Sequence, residues 1–514
     1  MPADFDLAIV GAGFGGALMA LIARRLEKSV VLLEKGQHPR FAIGESSTPL
    51  ANLILEELSR RWELPRLKPL AKWGTWQKTY PNLACGLKRG FSFFHHDLHQ
   101  PWKYRADHRN ELLVTASPRD EIADTHWFRA DVDHFLVNEA ISEGVEYLDR
   151  VELEEPQFAG DLVKLSGSRA GKPLRLQVRF LIDASGPRGF LHRALKILAQ
   201  PFAGFPATQG LYSHFENVER FADLNRHDAP TPYPLDDAAV HHIFPGGWIW
   251  VLRFNNGITS AGIAATDELA KRLDFPGRSK AWERVLALLP SVREQFASAN
   301  PVREFTHAPS LAFRTAQVSG PRWTMLPHTA GFVDPLLSTG FPLNLLGIER
   351  LAETLGLRNA SRFEARMEQY SRQTLAEVDF TALLISALYA QMADFEMFSA
   401  LALLYFAAAS FSETLRRLGR TPEGFLLNEH PTFGPAARKI ATAALNHPLK
   451  PEQRASLLKE IHQAIEPFDL AGFNDPARRN WHPVVAEDLL QNHAKLGASE
   501  EEVTEILARS GFLS

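Results

Sequence analysis

The feature that most limits how this chain can fold is Gly11-Ala12-Gly13-Phe14-Gly15-Gly16, placed directly after the apolar run Leu7-Ala8-Ile9-Val10. A short continuous apolar run bounded by glycine reads as a buried parallel strand. Gly11 and Gly13, with Ala12 between them, allow a tight turn and close backbone approach to a pyrophosphate, and Gly16 allows close packing of the helix that follows, expected over Ala17 to Leu26. The start of such a helix presents unpaired N–H groups and a positive dipole end to phosphate. Val30 to Leu33 is the next strand. Glu34 ends it at the spacing where an acid accepts from ribose hydroxyls. Strand, glycine turn, helix, strand and acid together predict an α/β chain whose N-terminal unit is a Rossmann-type dinucleotide-binding domain.

Length and charge narrow the rest. At 514 residues, two or three domains are expected. The 45% hydrophobic and 23% charged residues are those of an ordinary globular protein. A formal charge of −4, from 56 basic and 60 acidic residues, offers no electrostatic case for nucleic acid. With Cys85 the single cysteine, no intrachain disulfide can form and cysteine-based metal sites are disfavoured. The first residues run into a strand without a signal-peptide pattern, so a cytoplasmic protein is expected. Thr381–Met392 and Met397–Phe411 are strongly apolar, but Asp394 and Glu396 divide them and neither run has the ~20 residues of a membrane span. They read as buried helices.

Along the chain, Pro49 is expected early in a helix reaching about Arg61. A strand is expected over Lys88–Phe94, a helix after Trp127-Phe128-Arg129, a strand at Val145–Leu148, a β-meander over Val151–Val178, and a buried strand through Phe180–Asp183. Strand patterns at 211–218, 239–244, 248–254 and 259–265 form a second sheet. The division that follows is a dinucleotide domain from 1–195 and 306–355, a mixed-sheet substrate domain from 196–305 to which 81–104 contributes, and an α-helical C-terminal region from 356–514. Loops are expected at Pro431–Gly434 and Phe473–Pro483.

More than 300 residues after the glycine turn comes Gly331-Phe332-Val333-Asp334-Pro335-Leu336-Leu337-Ser338-Thr339-Gly340. With it in view, the chain resembles the flavin-dependent halogenases, a branch of the FAD monooxygenases built like p-hydroxybenzoate hydroxylase. Gly11, Gly13, Gly16 and Glu34 match the family's FAD cradle, and Gly44-Glu45-Ser46-Ser47-Thr48-Pro49 matches Gly-Glu-x-x-x-Pro. Phe332, Pro335, Ser338 and Gly340 match Phe-x-x-Pro-x-x-Ser-x-Gly. Lys88, in Leu87-Lys88-Arg89-Gly90-Phe91, stands where the family has its catalytic lysine.

The resemblance implies FAD, reduced by a separate NAD(P)H-dependent reductase because no second nucleotide cradle is visible, and chloride or bromide as co-substrate. It places FAD on Gly11, Ala12, Gly13, Gly16, Glu34, Gly44, Glu45, Ser46, Arg129, Asp183, His328, Asp334 and Gly340, and halide at Ser338, Thr339 and Gly340. In the family, hypohalous acid made at the flavin is held by the lysine and delivered to an electron-rich aromatic: a phenol, pyrrole, indole or carrier-bound ring. A flexible ammonium suits that task better than arginine's planar fork.

Three positions depart from the family. Trp248-Ile249-Trp250-Val251-Leu252-Arg253 keeps both tryptophans of Trp-x-Trp-x-Ile-Pro but replaces Ile-Pro. His328 stands where the family's aspartate contacts the ribityl chain, so aspartate at 328 is expected to tighten FAD binding. Leu337 replaces the glutamate of tryptophan halogenases, which disfavours free tryptophan as substrate.

Several residues keep two readings. Lys88 could be a solvated strand-end lysine. Ser338 and Thr339 could be a plain helix cap. Arg129 and Asp133 could be an i,i+4 pair, and Asp183 a turn residue. His95, His96 and His99 near Asp97 suggest a polar loop more than a metal site. The rival functions are an aromatic hydroxylase or other monooxygenase, a geranylgeranyl reductase-like flavoenzyme, and a non-catalytic flavin-fold binding protein.

Overall fold

A computed structural model describes residues 3–227 and 229–513. The N-terminal unit forms as its sequence requires. β1 (Phe5–Val10) lies parallel to β2 (Val30–Leu33) on one side and to the strand Lys172–Asp183 on the other. The sheet continues outward through Trp323–Met325 beyond Lys172–Asp183 and through Glu146–Leu148 beyond β2. The expected meander packs at its edge, where Leu162–Arg169 pairs antiparallel with Lys172–Asp183. All four residues of β2 are buried, which is why the run reads as continuous rather than alternating.

α1 (Phe14–Arg25) begins three residues earlier than expected and crosses between β1 and β2. Phe14 through Ala23 are all buried, so the helix lies inside the fold, and each fully buried Leu or Ile on it contributes about 1.5–3 kcal/mol. Two glycines are sterically obligatory. Gly11 has φ +101, and a Cβ on Gly16 would lie 1.9 Å from the Gly11 carbonyl oxygen. α2 (Pro49–Arg61) has Pro49 at its first turn and Thr48 as cap, the Thr48 hydroxyl accepting from the Ala51 N–H.

The expected strand over Lys88–Phe94 is two strands with a corner at Arg89. β3 (Cys85–Lys88) and β4 (Gly90–His95) belong to different sheets. β4 pairs antiparallel with β5 (Glu111–Thr115), while β3 pairs only with β6 (Asp124–Trp127), setting Lys88 opposite Asp124. Glycine makes the corner possible, because a Cβ on Gly90 would lie 2.3 Å from the Val114 carbonyl oxygen.

The second sheet runs through Thr208–Glu216, Thr259–Thr266, Gly247–Arg253, Ala239–Phe244, β4, β5 and Trp481–His482. It therefore draws strands from outside 196–305, including one from the C-terminal region that was expected to be helical throughout. Both faces are covered. Trp248, Trp250 and Leu252 face the large core shared with the nucleotide domain, and Ile249 and Val251 face a second core with Phe215 and Trp282. β4 is buried on both faces, so Ser92 is buried as well, its hydroxyl donating to the Leu235 carbonyl.

The helix Gly340–Leu355 closes the nucleotide half, and Ala360–Ala390 and Phe395–Arg417 lead the C-terminal region. The last is 23 residues, longer than its apolar run suggested, and long and apolar enough to cross a membrane, yet 83% of its most apolar window is buried inside the fold. Phe433 already begins a helix where a loop was expected, and the Phe473–Pro483 loop contains the Trp481–His482 strand.

Candidate active site

A cavity of about 1190 Å³ opens along the C-terminal ends of β1 and β2. That is where an open α/β sheet binds its ligand. Gly11, Gly13, Glu34, Gly44, Glu45, Ser46, Arg129, His328, Asp334, Ser338 and Gly340 line it. Ala12, Gly16, Lys88, Asp183 and Thr339 lie behind its wall.

At the glycine end, the Glu34 carboxylate accepts from the N–H of Ala12 and Gly36 and from Arg40. Those partners, with the Arg40 charge foremost, hold its pKa below the usual carboxylate value despite burial. It is therefore a fixed, ionised acceptor at the ribose position. Asp183 points elsewhere. Its carboxylate accepts from Ser185 and the Leu191 N–H, which makes it a turn residue holding the strand end against the next helix.

Arg129 forms the i,i+4 pair and also reaches the cavity loop. Its Nε and Nη2 donate to the two oxygens of Asp133, while Nη1 donates to the carbonyls of Ile43 and Gly44. It thus pins the 43–46 loop to the cavity wall. On that loop Glu45 Oε1 meets His214 Nε2 at 2.8 Å, and Glu45 Oε2 is buried without a protein partner.

His328 is locked between Asn344 Oδ1 (2.6 Å from Nδ1) and the Ala184 carbonyl (3.1 Å from Nε2). Burial lowers its pKa, so the ring is neutral and can donate from only one nitrogen. The arrangement closes if Nε2–H donates to Ala184 and the Asn344 amide is turned so that its NH2, otherwise buried and unpaired, donates to Nδ1.

The Ser338 turn is backbone-strained. Leu337 (φ 64) and Ser338 (φ 56) are consecutive non-glycine residues in the left-handed region. No side chain caps the Gly340–Leu355 helix, so the capping reading of Ser338 and Thr339 is corrected. The turn is held from two sides. The Tyr405 hydroxyl donates to the Leu337 carbonyl, and Asp334 accepts from the Leu336 N–H, Trp248 Nε1 and the Tyr389 hydroxyl. Burial pushes the Asp334 carboxyl up to about 7. Trp248 of the Trp-x-Trp pair is therefore a brace for this turn.

Lys88 is completely buried. Its ammonium donates to Ser46 Oγ (2.9 Å) and the Ser47 carbonyl (2.5 Å) and lies 3.8 Å from the centre of the Phe91 ring. Ser46 lines the large cavity, whereas Phe91 lines a second, mostly apolar cavity of about 160 Å³. The ammonium sits between the two, and the solvated-lysine reading fails. Burial pulls the Lys88 pKa down and the neighbouring Asp124 charge pulls it back up; burial pushes Asp124 up and Lys88 opposes it. His126 is held neutral by burial and by the Lys88 charge.

Asp124 escaped the sequence reading. It receives the Asn52 amide on Oδ1, and its Oδ2 is buried without a partner. Only the β3–β6 register, which lies between residues 36 apart, could have revealed it. His95 stacks on Phe395 and His96 contacts His242; among the described residues no three metal-ligating side chains converge.

A family model described as tryptophan halogenase matches residues 115–396. Monodechloroaminopyrrolnitrin halogenase PrnC of Pseudomonas fluorescens is 28% identical over 77% of this chain and 70% of its own length. Tetracycline 7-halogenase of Kitasatospora aureofaciens is 25% identical over 98% of this chain and 95% of its own. The crystal structure of halogenase PltM in complex with phloroglucinol and FAD superposes with a TM-score of 0.81 at 25% identity, covering 92% of this chain and 99% of that one.

Proposed function

The chain belongs to the tryptophan halogenase family and is an FAD-dependent halogenase, and we propose that it halogenates a free, single-ring aromatic through Lys88. The residues present fit FAD. The glycine turn brings the bare backbone of Gly11 and Gly13 to the cavity wall, Glu34 offers a fixed acceptor, and Glu45 on the 43–46 loop lines the cavity with one carboxylate oxygen unpaired. Gly11, Gly13, Glu34, Gly44, Glu45, Ser46, Arg129, His328 and Gly340 would hold it, with Ala12 and Gly16 shaping the turn. Bound and reduced, FAD would activate O2, the oxidant that takes chloride or bromide to hypohalous acid.

The protein's own part is placement. The backbone of Thr339 and Gly340, at an uncapped helix start, offers N–H groups and a positive dipole end to halide, while Ser338 shapes the turn by donating its N–H to the Pro335 carbonyl. Asp334, Trp248 and Tyr405 fix that turn. The Lys88 ammonium then holds hypohalous acid by hydrogen bond between the two cavities, and Asp124 keeps a compensating charge beside it. The observation that carries this reading is that one buried ammonium touches the wall of both cavities.

The second cavity supports the substrate class. At about 160 Å³ it matches an apolar cavity of ~150 Å³ that holds benzene. A single substituted ring fits. Reduced flavin would come from a separate NAD(P)H-dependent reductase in the cytoplasm.

The test is incubation with a flavin reductase, FAD, NADH, O2 and bromide against single-ring phenols and pyrroles, with indoles as the fused-ring comparison, read by mass spectrometry. Bromide-dependent product from single rings is expected. Oxygenated product without halogen would move the function to the hydroxylase, and a purified protein that takes up no flavin would move it to the non-catalytic reading.

A further inference from the structure

Of the residues lining the smaller cavity, only Glu413 and Arg417 are charged. They stand one turn apart on the helix Phe395–Arg417, on the same stripe as Phe406 and Ala409, which also line it. The guanidinium is held through three of its five N–H groups. Its Nε and Nη2 both donate to Glu413 Oε1, at 2.8 and 2.7 Å, and its Nη1 donates to Ser510 Oγ. The acceptor this pair leaves open is Glu413 Oε2, since only Oε1 receives the guanidinium. A second polar group waits at the cavity wall, since Thr115 Oγ1 is buried without a partner. Glu413 is also close enough to the Lys88 neighbourhood to act on the Asp124 charge. Apolar walls, one fixed carboxylate oxygen and one spare hydroxyl describe a site for a ring that carries O–H groups.

We infer that Glu413, oriented by Arg417, accepts the phenolic proton of the substrate, so that the ring this halogenase takes is a phenol, with Thr115 receiving a second hydroxyl. The inference rests on the halogenase reading and names its substrate. As the ring attacks, its π pair forms the carbon–halogen bond and the halogen–oxygen bond of hypohalous acid breaks to leave hydroxide. The phenolic proton passes to Glu413. Hydroxide takes the proton from the halogenated ring carbon, giving water and restoring the aromatic ring, and Glu413 returns its proton to the phenolate oxygen. The halogen is reduced, the ring carbon oxidised, and the sum is phenol plus hypohalous acid giving halophenol plus water. Transfer to the carboxylate raises electron density in the ring as the bond forms, which is the work of a general base.

The experiment compares resorcinol with 1,3-dimethoxybenzene, which has the same ring and no proton to give, in wild type and Glu413→Gln. Binding to the FAD-loaded enzyme is measured by calorimetry, and bromination with reductase, NADH, O2 and bromide by mass spectrometry. Glu413→Gln is expected to lose about 10²-fold in kcat/KM on resorcinol and to weaken its binding, with dimethoxybenzene unaffected. The variant should recover on resorcinol as pH approaches the phenol pKa of about 10, where the solvent removes the proton. Equal losses on both substrates, or no loss on either, would overturn the proposal. Should the Gln variant not fold, Glu413→Asp carries the test: its carboxylate is set back by one methylene, and an unchanged preference between the two substrates refutes the assignment. If wild type brominates nothing, the halogenase reading fails. The binding comparison still decides whether Glu413 takes a phenol.

Discussion

Removing the Lys88 ammonium separates halogen delivery from everything upstream of it. In Lys88→Ala two charge-assisted hydrogen bonds are lost, to Ser46 Oγ and the Ser47 carbonyl, each worth about 1.5–3 kcal/mol. The contact with Phe91 adds about 2 kcal/mol at a desolvated site. Against these stands the several kcal/mol that burying an ammonium costs, relieved in the variant. Asp124 loses its neighbouring cation, and with its pKa already raised by burial it takes up a proton instead of remaining charged. The terms largely cancel, so the variant should fold with its thermal midpoint within a few degrees of wild type.

Activity does not cancel. Hydrogen-bonding and proton-transfer groups of this kind contribute about 10²–10⁴-fold, and bromide-dependent product should fall by that factor. NADH use and peroxide release should persist, because Lys88 is required only once hypohalous acid exists. The ratio of brominated product to NADH consumed is the readout. Lys88→Arg should be nearly as poor, since a planar fork replaces a compact point donor in a fully buried slot. Lys88→Ala halogenating within about threefold of wild type would refute the reasoning. If both proteins instead give oxygenated product that ignores bromide, the hydroxylase reading replaces it.

Other perturbations follow from the same geometry. Gly13→Val should abolish FAD binding in a folded protein, because the new side chain would lie against Arg129 at the cavity wall; undiminished flavin affinity by fluorescence titration would be incompatible with the cradle. His328→Asp, expected from sequence to tighten FAD binding, should instead weaken it and destabilise the fold, because a carboxylate would face the Ala184 carbonyl that the imidazole now donates to; a tighter apo-protein titration would show otherwise. Asp124→Asn should lower halogenation and change its pH profile while leaving flavin uptake intact, and an unchanged profile would remove Asp124 from the site. For Asp334, burial raises the folded pKa to about 7, above the ~3.9 of the unfolded chain. The stability linked to its protonated form is complete below pH ~4 and lost as pH rises through ~7. Asp334→Asn should therefore gain stability over wild type from pH 4 to pH 8, measured by denaturant midpoint, and a pH-independent difference would contradict it.

The nucleotide half was legible because each of its constraints is local. Gly16 is dictated by the Gly11 carbonyl five residues before it, Gly11 is marked by its own positive φ even though the backbone that crowds it is at Ala184, and Pro49 marks a helix start through its own fixed φ. The corner at Arg89 was not legible. β3 and β4 are continuous in hydrophobicity, and the break between them is set by where their partners lie: β6 for one, β5 and Ala239–Phe244 for the other. Burial on both faces also hid the usual alternation in β4. The Trp481–His482 strand was missed for the same reason, since two residues carry no period and only their pairing with β5 makes them a strand.

The site divides along the same line. Residues whose part is a backbone shape, such as the glycines and the turn at Ser338, can be read from a motif because the motif is that shape. Side chains that act on one another across the fold cannot. Lys88 was visible, but the group that answers its charge is fixed by a register between strands 36 residues apart. The acceptor proposed for the substrate lies on a helix more than 300 residues further on. In sequence, Glu413 and Arg417 are an unremarkable i,i+4 pair, worth a few tenths of a kcal/mol on an exposed helix. Lining an apolar cavity they are something else: one carboxylate oxygen is held by the arginine and the other is left to find its hydrogen bond in whatever ring enters.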